Sequence, residues 1–228
     1  LIYVSCFLPH FYFKSALIDP IFNLLIFAGI YFASKLTENA EFISYKQRRK
    51  TNNRSVFYSG LFIGLAVLAK GPVGFLLFSL TYLLLFVIGK FKKTNNLWEF
   101  IYFGIVCFST ISIWYGLEWY VNGPGFLEGF FQRHIDLLTT KDAGHGGPIY
   151  YHLVVLLLGC FPASIFMFGG IKNHDFSTGL LHNFQRWMFS LLVVVIVVFS
   201  LVQTKIIHYS SLAYFPITFF ASYFIYYL

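Results

Sequence analysis

The chain has 228 residues, of which 58% are hydrophobic, 22% aromatic and only 11% charged, whereas a soluble domain carries roughly 25% charge. With a mean hydropathy of +0.71, this balance excludes an ordinary soluble globule and makes lipid the main solvent of the chain. The formal net charge of +7 does not point to nucleic acid, because the basic residues collect in particular loops.

In lipid every backbone N–H and C=O must be paired internally, which leaves helices or a closed barrel. The apolar runs here are continuous. Leu76 to Gly89 and Leu191 to Leu201 show none of the two-residue alternation of barrel strands. The expected fold is therefore all-α, a polytopic transmembrane helical protein. Runs of about 20 apolar residues, shorter where a turn interrupts, give about eight membrane segments. In chain order they are Leu1 to Phe13, Ala16 to Leu36, Ser55 to Ala69, Pro72 to Gly89, Leu97 to Leu117, Ile149 to Ile171, Trp187 to Gln203 and Ser210 to Leu228. The chain opens and closes inside apolar stretches, so residues 1–228 read as one transmembrane domain truncated at both ends. Cys6, Cys107 and Cys160 are scattered through apolar runs and form neither a disulfide framework nor a metal spacing.

Adjacent spans alternate direction, which sorts the connections into two sets. Lys35 to Arg54, Lys90 to Asn96 and Lys172 to Arg186 hold eleven of the sixteen Lys and Arg, so this set is expected to face the cytoplasm. The Lys14–Ser15 turn, the Lys70 turn, residues 118–148 and Thr204 to Tyr209 fall on the extracytoplasmic side. The run from Lys46 to Lys50 lacks interleaved aromatics and any base-reading motif, and a loop facing lipid headgroups explains it.

Lys70 stands out because a Lys at the centre of a membrane helix costs about 2.5 to 3.5 kcal/mol on insertion scales. Gly71 and Pro72 follow it and break the helix, placing the ammonium at the tip of a tight turn. In the outer loop 118–148, Leu127, Phe131, Ile135 and Leu138 recur at helical spacing, with Glu128, Gln132 and Asp136 on another face. That pattern predicts an amphipathic helix lying in the interface. The stretch from Asp142 to Pro148 then forms a flexible polar turn, and a loop of this length is long enough to act as a lid.

Several residues admit both a structural and a chemical reading. Asp19 precedes Pro20, which suits the first turn of a helix, yet a carboxylate there is also placed to bind a sugar hydroxyl or assist proton transfer. Lys205, His208 and Tyr209 set a cation and an imidazole about one turn apart, by interfacial snorkelling or as a binding set. His134, His145 and His152 fit none of the recurrent zinc spacings, although a divalent metal ion remains open as a cofactor. No nucleotide-binding loop, Ser-His-Asp order or paired-carboxylate motif occurs. Several cations at an outer interface suit a lipid-linked phosphate.

Leu17-Ile-Asp19-Pro20, Leu68-Ala-Lys70-Gly71-Pro72, the stretch from Phe130 to Leu138, the stretch from Asp142 to His152, and Thr204-Lys205-Ile-Ile-His208-Tyr209 occur in this order. Together they resemble the GT-C class of membrane glycosyltransferases, in the branch of the aminoarabinose lipid A transferases and protein O-mannosyltransferases (families 39 and 83). The resemblance implies a multi-pass enzyme of the bacterial inner membrane with its active site facing the periplasm or exterior. The donor would be a polyprenyl (undecaprenyl) phosphate sugar, and the acceptor a lipid, such as lipid A, or a protein. It implies Asp19 as a catalytic acid near the sugar and Lys70 as the phosphate-binding cation. Lys205, His208, Tyr209, His134 and His145 would be further substrate contacts. Relatives often carry an Arg near Asp136, a place taken here by Arg133. The family's first acid, the general base, would lie upstream of Leu1. The alternative is a transporter or flippase of a lipid-linked sugar. Its ionisable groups would be expected near the membrane midplane and in repeated halves, and neither pattern is visible.

Overall fold

The computed structural model describes residues 1–15, 17–36, 45–88, 97–139, 146–172 and 180–228, and the ordered secondary structure among these residues is helical. In chain order the helices are α1 (Ile2–Ser5), α2 (Phe7–Lys14), α3 (Asp19–Ser34), α4 (Tyr45–Lys70), α5 (Val73–Ile88), α6 (Leu97–Asn122) and α7 (Gly125–Thr139). They are followed by α8 (Tyr151–Gly159), α9 (Ala163–Lys172), α10 (Leu180–Leu201), a 3₁₀ segment (Ile207–Ala213) and α11 (Tyr214–Tyr226).

The all-α, polytopic expectation agrees with this architecture, but the number of spans does not. Among the described residues only Leu97–Asn122 and Leu181–Leu201 are helices long and apolar enough to cross a membrane. A third span results if α8 and α9, bent by 103° at their junction, are counted as one broken crossing. The reason is helix length rather than hydropathy. At 1.5 Å per residue the sixteen-residue α3 and α5 reach about 24 Å, short of a hydrocarbon core of about 30 Å. The run Leu1 to Phe13 divides at Cys6, whose extended backbone separates α1 from α2. The last run spends its first turns on the 3₁₀ segment, leaving α11 with thirteen residues. Helix α4 has 26 residues, but Lys46 to Arg54 make its first half polar.

The outer loop begins later than the sequence suggested, because α6 continues through Glu118 to Asn122 and turns at Gly123, whose φ is +75°. The amphipathic helix is present as α7, with Leu127 buried and Gln132 donating to Asp136 at 3.0 Å on its polar side. The lid residues from Thr140 to His145 lie outside the described residues.

The chain forms two compact units. One comprises Leu1–Pro20, Gly129–Phe176 and Met188–Leu228. Its core joins α9 to α11, where Gly170 lies against the Phe220 carbonyl and Gly169 against the Phe224 ring, a closeness no larger residue allows. Met188, Leu191, Tyr214, Ile217 and Phe220 are buried in this unit. The other unit comprises Ile21–Glu128 with Ser177–Trp187 and is built on α4 against α6. There a side chain at Gly60 would meet the Phe103 carbonyl at 2.9 Å, and one at Gly64 would meet the Cys107 carbonyl at 3.0 Å. The Gly60-x-x-x-Gly64 spacing thus lets two helix backbones touch, the packing that replaces hydrophobic driving force in lipid.

Candidate functional site

In the unit that contains α4, the chain break falls where Gly71 and Pro72 place it. Gly71 has φ +99°, a left-handed backbone suited to glycine, and its N–H donates to the Val67 carbonyl at 2.7 Å. Lys70 is the last residue of α4, where the negative end of the helix dipole favours a cation. Its Nζ lies 5.7 Å from the centroid of the Phe22 ring, within cation–π range. Gly74, just past the turn, lets α5 close onto Ala66 and Phe22.

The other predicted site residues gather in the second set of elements, the unit holding α8 to α11. Asp19 opens α3 and is only 4% exposed. The Tyr12 hydroxyl lies within electrostatic reach of its carboxylate. Ser211 Oγ stands 2.9 Å from the Tyr12 hydroxyl and also against the His208 carbonyl, and donates to either. Tyr12 thus stands between the carboxylate and the segment that carries His208 and Tyr209.

Lys205 follows the end of α10, and its ammonium donates to three backbone carbonyls: Phe199 at 3.0 Å, Ser200 at 2.7 Å and Val202 at 2.7 Å. These are carbonyls that a helix end leaves without partners. Burial pulls the lysine below its usual range, while the three carbonyls favour the charged form. Lys205 also borders a crevice of about 280 Å³ with Gly147, Ile149 and residues 200–203.

Beside it, His152 is fully buried with Nδ1 3.0 Å from Ser210 Oγ, and its Nε2 has no hydrogen-bond partner among the described residues. The rings of His152, Phe199, Tyr209 and His208 follow one another at centroid separations of 5.9, 5.9 and 5.3 Å. His208 and Tyr209 are half-buried.

Asp19, Lys205, His208, Tyr209 and Arg133 thus belong to one unit, Arg133 exposed on α7, while Lys70 belongs to the other. His134 is part of α7 but its side chain, like all of His145, lies outside what is described. Among the described residues no three His, Cys, Asp or Glu side chains form a group able to hold a metal ion. Tyr12, Ser210 and Ser211 also belong to this cluster, and no sequence motif singles them out beyond a Ser-Ser pair at the start of an apolar run.

These elements define an all-α membrane protein with broken helices and a polar cluster at the helix ends, and its fold has a likeness among solved structures. Two solved structures carry that likeness. The crystal structure of ArnT from Cupriavidus metallidurans bound to undecaprenyl phosphate aligns with a TM-score of 0.72 and 18% identity, covering 92% of this chain and 37% of that one. The apo state of the same protein aligns at 0.63 with 16% identity, covering 92% of this chain and 36% of that one. At these identities the likeness is one of fold, and the chain spans a little over a third of the ArnT length. No family model matches the chain, and no curated protein matches it.

Proposed function

We propose that the protein is a membrane glycosyltransferase that moves a sugar from a polyprenyl phosphate to a lipid or protein acceptor on the extracytoplasmic face of a bacterial inner membrane. The observation that carries this reading is the alignment of nearly the whole chain with a structure that holds undecaprenyl phosphate. The motif set supports it, because Asp19 and Lys70 both stand at helix ends next to a chain break.

In this reading the acceptor hydroxyl attacks the anomeric carbon with inversion, and its proton passes to a general base. The bond from that carbon to the phosphate oxygen breaks, and polyprenyl phosphate leaves with the electron pair. Lys70 stabilises the phosphate charge as it develops, the kind of electrostatic contribution that dominates many transfer reactions. Asp19 acts near the sugar, with Tyr12 beside it. Arg133, His134, His145, His208 and Tyr209 contact substrate. Lys205, whose donors are engaged by carbonyls, acts as a positioning residue for the turn before His208.

The test is transfer from a polyprenyl-phosphate sugar in proteoliposomes. Lys70→Ala is expected to abolish transfer while the protein stays folded, and wild-type turnover by that variant would overturn the assignment. Movement of the intact lipid-linked sugar across the membrane without transfer would instead support a flippase.

A further inference from the structure

Helix α4 opens with a segment that is helical against its own electrostatics. Its residues Tyr45 to Arg54 include Lys46, Arg48, Arg49, Lys50 and Arg54, and its first turn holds no acid. Cations at a helix start oppose the helix dipole, and like charges four residues apart, as Lys46, Lys50 and Arg54 are, destabilise a helix. Anionic charge from outside relieves both effects. Six Lys and Arg but only two Glu fall between residues 35 and 54. Glu99, which accepts from Asn52 Nδ2 of α4 at 2.8 Å, adds a third acid. Were each of these acids to pair with one cation, three cations would remain for an external anion.

The same spacing continues from charges into rings. Tyr58 and Phe62 follow Arg54 at intervals of four, so the basic row of α4 runs on into an aromatic one. Phe32 of α3 packs against both, its ring centroid 5.0 Å from that of Tyr58 and 5.7 Å from that of Phe62. Lys35, one turn beyond Phe32, holds its ammonium 4.2 Å from the Tyr31 centroid and 5.6 Å from that of Phe32. Tyr31, Phe57 and Tyr58 are exposed. Cations from two helices thus head one surface strip of aromatic rings. From Arg54 to Lys70, the last residue of α4, is about 24 Å along the helix at 1.5 Å per residue. The head of the strip therefore lies at the opposite end of α4 from the Lys70 turn.

The geometry points to a site for one anionic glycerophospholipid: Lys35 and Arg54 hold its phosphate, and one acyl chain lies along Tyr58, Phe32 and Phe62. Charge selects the occupant. A lipid with net negative charge gains from every cation near the surface, whereas a zwitterionic headgroup brings its own compensating ammonium. The rings supply apolar contact for a chain. A second copy of this chain would set the same basic segment against itself, and like charges repel. This inference is independent of the transfer reaction.

The experiment uses the full chain in phosphatidylcholine nanodiscs doped with phosphatidylglycerol or phosphatidylethanolamine at equal mole fraction. Each dopant carries a photoactivatable acyl chain, and adducts are mapped by peptide mass spectrometry. Phosphatidylglycerol is expected to label the α3 and α4 peptides that carry Phe32, Tyr58 and Phe62 about tenfold more than phosphatidylethanolamine, which is what two cations near a membrane surface supply. Lys35→Gln combined with Arg54→Gln should lower that ratio to about twofold. Both side chains reach the surface, so this variant is expected to fold. Arg48→Gln combined with Arg49→Gln removes as much charge from positions off the row, and should leave the ratio above about fivefold. Equal losses in the two double variants would overturn the site in favour of diffuse attraction. Equal labelling by the two lipids in the wild type, or phosphatidylglycerol adducts spread evenly over all the helices, would overturn it outright.

Discussion

Replacing Lys205 by Met separates the two roles open to that residue. The aliphatic stem survives, including its contact with Gly147, where a side chain would lie 3.1 Å from Lys205 Cγ. What disappears is one ammonium and its three hydrogen bonds to Phe199, Ser200 and Val202. Bonds to a charged group contribute roughly 1.5 to 3 kcal/mol each, which sets an upper bound of about 5 to 9 kcal/mol. The Ser200 and Val202 carbonyls are only part-buried and border the crevice, so water can replace the lysine there at a cost of roughly 0.5 to 1 kcal/mol each. The Phe199 carbonyl is bonded in a buried position and bears the fuller penalty of about 1 to 3 kcal/mol. The expected loss is therefore about 3 kcal/mol, to be measured by equilibrium unfolding in mixed micelles. Transfer should fall through kcat, with the donor KM changed less than twofold. A Lys205→Met protein as stable as wild type, with a donor KM raised tenfold or more, would refute the reasoning and make Lys205 a direct phosphate ligand.

Tyr12→Phe removes the hydroxyl that stands near Asp19 and accepts from Ser211. Loss of a polar neighbour of the acid predicts a roughly tenfold lower kcat, with the acceptor and donor KM little changed; wild-type kcat would show that Tyr12 does not position the acid. Gly64→Leu forces a side chain against Thr110 and the Cys107 carbonyl, and should destabilise by about 1 to 3 kcal/mol in the same unfolding assay. Gly116→Leu on the same α6 meets nothing within 4 Å and should be neutral or stabilising by up to about 1 kcal/mol, so equal effects of the two would refute close α4–α6 packing.

The helical class and the Lys70 break were legible because their signals are local: continuous apolar runs, and a Gly-Pro pair that no helix passes through unbroken. Span number was not legible, because hydropathy counts apolar residues and is blind to where the backbone bends. The run Ile149 to Ile171 contains a sharp turn between Gly159 and Ala163, and Pro162 was a signal for it that a sliding window averages away. The division of the first run at Cys6 has no such marker, since the nearby Pro9 sits inside α2. The Gly60-x-x-x-Gly64 spacing is itself a sequence signal for a close helix contact. The links from Asp19 to Tyr12 and from Lys205 to carbonyls of the preceding helix are tertiary or turn-specific, and no spacing rule encodes them.

Asp19, Lys70 and Lys205 share one physical circumstance that sharpens the division of roles among them. Each stands at a helix end whose dipole matches its sign: the acid at the start of α3, one cation at the end of α4, the other just past the end of α10. A dipole match contributes only about 0.3 to 1 kcal/mol at an exposed end, which suffices for a residue that reaches water. Lys205 has three carbonyls besides, which accounts for its burial without a ligand. Lys70 is half-buried and backed by an aromatic face. Asp19 is 4% exposed at the start of α3, in the unit that also holds His208 and Tyr209, and that placement is the ground on which the proposed function gives it the catalytic role.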